Sequence, residues 1–145
     1  METIARGQPA ARVGVLQPFR LLAVVTAGLI LVQAFLAGQW LFQSQVGAIS
    51  IHGWLGNTAF LGAILLVVLA FVGMRRSGSG WGRAELILSI VLVLLMTAQL
   101  GLGYSGRASA AAASLHVPNG VLLTMVIAAL LALAWRPAGP PPARR

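Results

Sequence analysis

Long apolar runs alternate with short polar stretches along the whole chain, and most of these stretches carry arginine. Four of the runs reach the roughly 20 residues that an α-helix needs to cross the hydrocarbon core of a bilayer. None has a charged residue in its interior, although Glu85 is the first residue of the third run. The pattern predicts four membrane-spanning helices, at Leu21–Phe42, Ile51–Met74, Glu85–Tyr104 and Leu115–Trp135.

The segments at the two ends are short and more polar. Residues 1–20 mix charged and apolar positions, and residues 136–145 contain four prolines and end in two arginines. Such compositions favour a solvated chain over a packed one. We therefore predict two tails around one transmembrane domain, residues 21–135. The first apolar run is longer than the signal-peptide core of about 7–15 residues, so we interpret it as a retained helix.

The composition supports a membrane protein. Hydrophobic residues make up 59% of the 145 positions and charged residues 8%, whereas soluble domains carry about 25% charge. The net charge of +8 does not indicate nucleic-acid binding, because the arginines lie between the apolar runs, where membrane topology explains them. The chain has no cysteine, which excludes disulfides and thiolate metal ligands.

The arginines define an orientation for the four predicted spans. If all four runs cross the membrane, nine of the ten arginines lie on one side and only Arg107 lies on the other. By the positive-inside rule, both termini are then cytoplasmic. Short outer loops make neighbouring helices antiparallel, so we expect an all-α, up-down four-helix bundle in the lipid bilayer of a bacterial inner membrane.

A short motif occurs twice, in equivalent places. Serine, an aliphatic residue and histidine are followed, four residues after the histidine, by glycine. The two copies contain the only histidines of the chain, His52 with Gly56 and His116 with Gly120. The first helix pair therefore corresponds to the second, and both have the same orientation, as in parallel membrane repeats. The two histidines are expected at one depth, near the outer surface.

Each half also carries a glutamine at a matched place in its first span. Gln33 precedes His52 by 19 residues, and Gln99 precedes His116 by 17. Polar residues within a span are costly to bury and are often functional. At about 1.5 Å of rise per residue, both glutamines are expected several ångströms deeper than the histidines. There they would contact the lower edge of a cofactor or the headgroup of a quinone.

The serines of the motif indicate where the second helix of each pair begins. Ser50 and Ser114 are suited to be N-caps, which places each histidine in the first helical turn. Pro118 is acceptable in that turn, where backbone amides have no intrahelical partner. In the alternative, residues 108–114 continue the helix outward and Pro118 kinks it.

Two imidazoles at one depth on helices 2 and 4 predict a bis-histidine site. His52 and His116 alone leave zinc or copper short of ligands, since no Asp, Glu or Cys is near them. Haem needs only one or two axial ligands, because the porphyrin supplies the other four. We therefore predict haem b between the histidines. Gly56 and Gly120 would leave room for the macrocycle, and Arg107 would pair with a propionate.

A structural interpretation accounts for the same residues. Glycines on membrane helices most commonly let a neighbouring helix approach. A histidine near a helix entrance can simply face water or cap a loop. The glutamines can form interhelical hydrogen bonds worth about 0.6 kcal/mol each. The sequence leaves both interpretations open.

The same residues carry two resemblances. From Gln33 to the Ser-Leu-His-Val-Pro-Asn stretch that ends at Asn119, the core resembles an uncharacterised family of bacterial four-helix membrane proteins. The layout is also similar to one half of haem A synthase, whose two four-helix bundles carry haem-ligating histidines on their second and fourth helices. His52 and His116 occupy the matching helices, which implies haem ligation. The synthase has a glutamate and an arginine beside its first histidine, whereas the Ser-Ile-His-Gly stretch around His52 has neither.

Two functions from different classes follow. The first is a small membrane cytochrome that passes electrons from quinol or another donor through one haem near the outer face. The second is a structural or anchor subunit that packs against other membrane subunits and holds no cofactor. No catalytic constellation is recognisable, and Glu85 is expected to stabilise the start of helix 3. Whether the chain is an enzyme stays open.

Overall fold

The structure, a computed structural model, describes residues 8–44, 46–77 and 82–136. These residues form four α-helices and no strand. All four helices are long and apolar enough to cross a membrane, which confirms the predicted all-α, four-helix fold. The helices are α1, Gln8–Gln43; α2, Val46–Ser77; α3, Arg83–Ser105; and α4, Ala110–Ala134.

Each helix packs against two others, so the four helices form a closed ring. Helix α1 contacts α2 and α4, and α3 contacts the same two helices, which places α2 and α4 on one diagonal of the ring. Two residues separate α1 from α2, and four separate α3 from α4, so neighbouring helices are antiparallel. The diagonal helices α2 and α4 therefore start at the same end of the bundle.

Apolar side chains from all four helices fill the interior of the ring. Helix α2 contributes three alanines, which share one cluster with larger buried side chains such as Phe19 and Leu92. Large apolar side chains are also exposed on the outside of every helix, as expected where lipid surrounds the bundle. Examples on α1, α2, α3 and α4 are Phe35, Leu61, Leu94 and Met125.

Helix α1 begins earlier than the sequence predicts. Its first residue is Gln8, so the prediction of a tail up to residue 20 is wrong for the described part of that segment. Phe19 is fully buried, as is Ala23 one turn further on. The spacing of four residues keeps both on one helix face, which packs onto the bundle. The rest of the predicted tails lies outside the described residues, at 1–7 and 137–145.

The second helix of each pair begins before the serine of the motif, so the predicted N-caps at Ser50 and Ser114 are wrong. Helices α2 and α4 each start four residues before these serines. The N-cap of α4 is Ser109, whose hydroxyl accepts a hydrogen bond from the backbone N–H of Ala112 at 3.3 Å. As in the alternative, α4 extends outward beyond Ser114, but it begins at Ala110 and not at residue 108, and a kink at Pro118 stays a prediction. Each histidine lies in the second turn of its helix.

A buried carboxylate joins three segments at the arginine-rich end of the bundle. Glu85 is fully buried, and its Oε2 accepts a hydrogen bond from the backbone N–H of Gly82 at 2.9 Å. Its Oε1 lies 3.3 Å from Nη2 of Arg136, close enough for an ion pair but without hydrogen-bond geometry. Glu85 thus stabilises the start of α3, as expected. Nearby, Nε of Arg20 donates to the carbonyl of Ala134 at 2.8 Å.

Gly82 holds a conformation that strongly favours glycine. Its φ is +103°, and an added Cβ would lie 2.8 Å from Cα of Met74. We expect Gly82→Ala to lower the free energy of unfolding by about 2 kcal/mol, because backbone strain and a clash with main-chain atoms both oppose the methyl group. Thermal unfolding in detergent measures this loss. Gly28→Ala is the matched control, since an added Cβ there meets no atom within 4 Å, and equal losses would contradict the prediction.

Candidate histidine site

Two imidazoles from the diagonal helices α2 and α4 come together inside the four-helix bundle. His52 of α2 and His116 of α4 have ring centroids 6.1 Å apart, and their planes are inclined by 59°. Helices α2 and α4 start at the same end, at residues 46 and 110, so each histidine is the seventh residue of its helix. The two rings therefore lie at one depth. Both side chains are half-buried.

Each imidazole is held by a backbone carbonyl of the preceding helix. Nδ1 of His52 lies 3.0 Å from the carbonyl oxygen of Gln33, and Nδ1 of His116 lies 3.1 Å from that of Gln99. A carbonyl oxygen only accepts hydrogen bonds, so we assign the ring hydrogen to Nδ1 in both histidines. Nε2 of each ring then carries a lone pair. The same contact in both halves extends the repeat from the sequence to the side chains.

The two ends of each glutamine lie beside different residues of the motif. The backbone carbonyl of Gln33 or Gln99 contacts the imidazole of its own half. The side-chain amide lies beside the glycine one helical turn beyond that histidine. The predicted contact of these amides with the edge of a cofactor or with a quinone headgroup stays a prediction.

The motif glycines make room for the glutamine side chains. An added Cβ on Gly56 would lie 2.8 Å from Nε2 of Gln33, and one on Gly120 would lie 3.3 Å from Nε2 of Gln99. Each side-chain amide thus occupies the space beside the glycine that follows the histidine of its half. Contact of these glycines with a macrocycle stays a prediction, and it requires the amides to turn aside.

The second half contains a complete hydrogen-bond network. Nδ2 of Asn119 donates to Oε1 of Gln99 at 2.6 Å and to the carbonyl of Leu95 at 3.0 Å. Because the amide oxygen of Gln99 faces Asn119, its NH₂ group is left for His116. Nε2 of Gln99 lies 3.1 Å from Nε2 of His116, so the amide donates to the lone pair of the ring. The assignment agrees with the hydrogen on Nδ1.

The first half lacks this network. Nε2 of Gln33 is buried and has no hydrogen-bond partner within the described ranges. Three residues after His52 stands Leu55, where the second half has Asn119. No group of the described chain hydrogen-bonds to Nε2 of His52, whose only hydrogen bond there is through Nδ1. The two halves therefore share the contact between imidazole and backbone carbonyl but differ in the side chains around it.

Two residues of the site were not singled out from the sequence. Asn119 orients Gln99, and the signal for it was its place in the Leu-His-x-x-Asn element together with its polarity inside a span. Gly103 lies against the ring of His116, where an added Cβ would be 3.0 Å from Cε1. Nothing in the sequence distinguished Gly103 from the other glycines of the spans.

Arg107 lies in the connection between α3 and α4, at the end of the bundle that carries the histidines. Its guanidinium lies over the ring of Tyr104, 5.3 Å from the ring centroid. The Tyr104 hydroxyl accepts a hydrogen bond of 3.1 Å from Nδ2 of Asn57, the residue after Gly56. This chain of contacts connects Arg107 to α2 beside the motif. Pairing of Arg107 with a propionate stays a prediction.

The separation of the two rings is compatible with two imidazoles on one iron. Two iron–nitrogen bonds of about 2 Å, extended on both sides to the ring centres, give a centroid separation of roughly 6 Å. The ring centroids of His52 and His116 are 6.1 Å apart. Metal-ligating histidines also characteristically donate their second N–H to a carbonyl or carboxylate, as both do here.

A cavity of about 120 Å³ lies away from the histidines, between α1 and α4. Its lining is apolar apart from Thr124, whose hydroxyl already donates to the carbonyl of Gly120 at 3.0 Å. The cavity therefore offers no free polar group to orient a ligand. The histidine pair remains the candidate site.

Comparison with family models, with curated proteins and with solved structures finds no match to this chain. The fold and the site define an integral membrane protein with four helices and one half-buried histidine pair.

Proposed function

We propose that the protein is a membrane cytochrome-like protein in which His52 and His116 are the axial ligands of one haem b. The observation that carries the proposal is the duplicated contact of Nδ1 with a backbone carbonyl, at 3.0 and 3.1 Å, on rings 6.1 Å apart. This contact fixes the tautomer that leaves Nε2 for a metal in both rings. A bound haem would supply one-electron chemistry.

The residues of the chain would orient and shield the haem. The carbonyls of Gln33 and Gln99 hold the two rings, and the apolar bundle limits the access of water. Arg107 supplies a positive charge beside Tyr104, suited to a propionate at the outer end. By the positive-inside rule the haem lies near the outer face of a bacterial inner membrane, with both termini cytoplasmic. A membrane-dissolved quinol is the electron donor that suits this location.

A structural subunit is the second candidate. Its supporting observation is that Asn119, Gln99 and His116 bond to one another without any ligand and so join α3 to α4. The hydrogen bond between His52 and Gln33 joins α1 to α2 in the same way. Under this proposal the histidines hold the bundle together, and the exposed apolar faces pack against helices of a larger membrane complex.

An optical spectrum of the purified full-length chain separates the two proposals. For the cytochrome we expect a Soret band and, after reduction with dithionite, the sharp visible bands of a low-spin haem. The protein should be expressed with ample haem supply and purified in mild detergent. A colourless protein that is folded by circular dichroism would contradict the cytochrome and favour the structural subunit.

A further inference from the structure

The two histidines of the site differ in what their Nε2 atoms contact. Nε2 of His116 accepts a hydrogen bond from the amide of Gln99 at 3.1 Å. That amide is itself held by Asn119 at 2.6 Å, which is anchored to the carbonyl of Leu95. Nε2 of His52 has no such partner in the described chain. The lone pair on Nε2 of His116 therefore accepts a hydrogen bond, whereas the lone pair on Nε2 of His52 accepts none from the described chain.

This difference decides how readily each ring binds a metal. An imidazole coordinates a metal through the same lone pair that accepts a hydrogen bond. His116 must therefore break its bond from Gln99 before it coordinates, whereas His52 breaks none. The ring of His116 also packs on Gly103. The position equivalent to Gly103 in the first half, four residues after Gln33, is Ala37.

We propose that His52 is the permanent axial ligand and that His116 is an exchangeable one, an inference that rests on the proposed haem. When His116 is released, the amide of Gln99 accommodates its lone pair, so the free imidazole is stabilised inside an apolar bundle. A haem held by this pair would keep His52 and would exchange His116 for a small neutral ligand of the diatomic class. Such an exchange moves no electrons and requires no co-reactant.

Variants that each lack one histidine test directly whether His52 and His116 differ as ligands. We expect His116→Ala to retain haem with the spectrum of a five-coordinate, high-spin iron, and His52→Ala to lose most of its haem. Haem content is measured per protein after purification of both variants under identical conditions. Equal haem content in the two variants, or greater loss in His116→Ala, would overturn the proposal.

Carbon monoxide titration of the dithionite-reduced protein tests the role of Gln99. Gln99→Leu removes the side-chain amide but keeps the backbone carbonyl that holds Nδ1, so His116 competes better for the iron. We expect carbon monoxide to bind about fivefold more weakly than to wild type, the factor that one ordinary hydrogen bond represents. Asn119→Leu should also weaken carbon monoxide binding, because it removes the bond that orients the amide of Gln99. This variant replaces Gln99→Leu in the test if Gln99→Leu does not fold.

Thr97→Val is the matched control for the titration. Thr97 lies on α3 two residues before Gln99 and is exposed, and its hydroxyl donates at 2.9 Å to the carbonyl of Val93 in the same helix. We expect its carbon monoxide affinity to equal that of wild type. Unchanged or tighter binding in the folded Gln99 and Asn119 variants would overturn the exchangeable role of His116. A wild-type protein without haem would instead overturn the proposed function, so the two failures are distinguishable.

Discussion

A variant in which both His52 and His116 are alanine is expected to fold and to bind no haem. Without either Nε2 atom, the iron would have no protein ligand, and the proposed pairing of Arg107 with a propionate would be too weak to hold the haem through purification. The fold should persist because both imidazoles are only half-buried and neither belongs to the buried apolar cluster. Haem content per protein, measured by absorbance after expression with ample haem, gives the result.

The matched control for this variant changes two other polar side chains on the same helices. Thr58 of α2 and Thr124 of α4 are exposed, and each hydroxyl donates at 3.0 Å to a carbonyl of its own helix. The double variant Thr58→Ala and Thr124→Ala should therefore keep the haem content of wild type. A full Soret band in the folded double-histidine variant would mean that haem is held elsewhere.

Replacement of Glu85 by alanine is expected to destabilise the arginine-rich end of the bundle. It removes the acceptor for the N–H of Gly82 and leaves Arg136 without its partner. A lost helix cap is worth about 1 kcal/mol. Breaking a fully buried ion pair lowers stability by about 3–5 kcal/mol, but the Arg136 side chain is 43% exposed, so solvent screens much of this. The expected total is about 2–3 kcal/mol, read from thermal unfolding in detergent.

Two further variants separate the contributions of Glu85. Glu85→Gln keeps an oxygen that accepts from Gly82 but removes the charge, so its loss should be clearly smaller than that of Glu85→Ala. Arg83→Ala changes an exposed charge at the same helix end and should alter stability by less than about 0.5 kcal/mol. If Glu85→Ala unfolds at the temperature of wild type, the buried carboxylate does not stabilise this end.

The sequence was sufficient for the number of helices and for the repeat. Uninterrupted apolar runs of membrane length leave little choice of fold, because backbone polar groups in lipid must be paired within helices. The pairing of His52 with His116 followed from the repeat, since equal positions in parallel repeats place residues at one depth. The sequence did not reveal how early α1 begins. Before residue 21, isolated apolar residues such as Phe19 alternate with polar ones, and such a pattern does not resemble a membrane span.

The contacts of the site were less predictable. The imidazoles bond to the backbone carbonyls of Gln33 and Gln99, and a carbonyl has no signature in the sequence, since every residue carries one. The sequence analysis assigned a role to the glutamine side chains, yet the backbone carbonyls of the glutamines hold the imidazole rings. The inequality of the halves depended on Asn119 and Leu55, which stand outside the shared part of the motif.

Each helix pair forms its own contact between imidazole and carbonyl, so each pair is a complete half-site. Two identical copies of one pair, assembled about a twofold axis, would build a symmetric site in which both histidines have the same neighbours. Joining the copies in one chain removes that restriction, because each half then mutates independently. Asn119 in one half and Leu55 in the other is such a divergence. A single chain that carries both pairs thus leaves its two histidines free to specialise, which a homodimer of one pair cannot do.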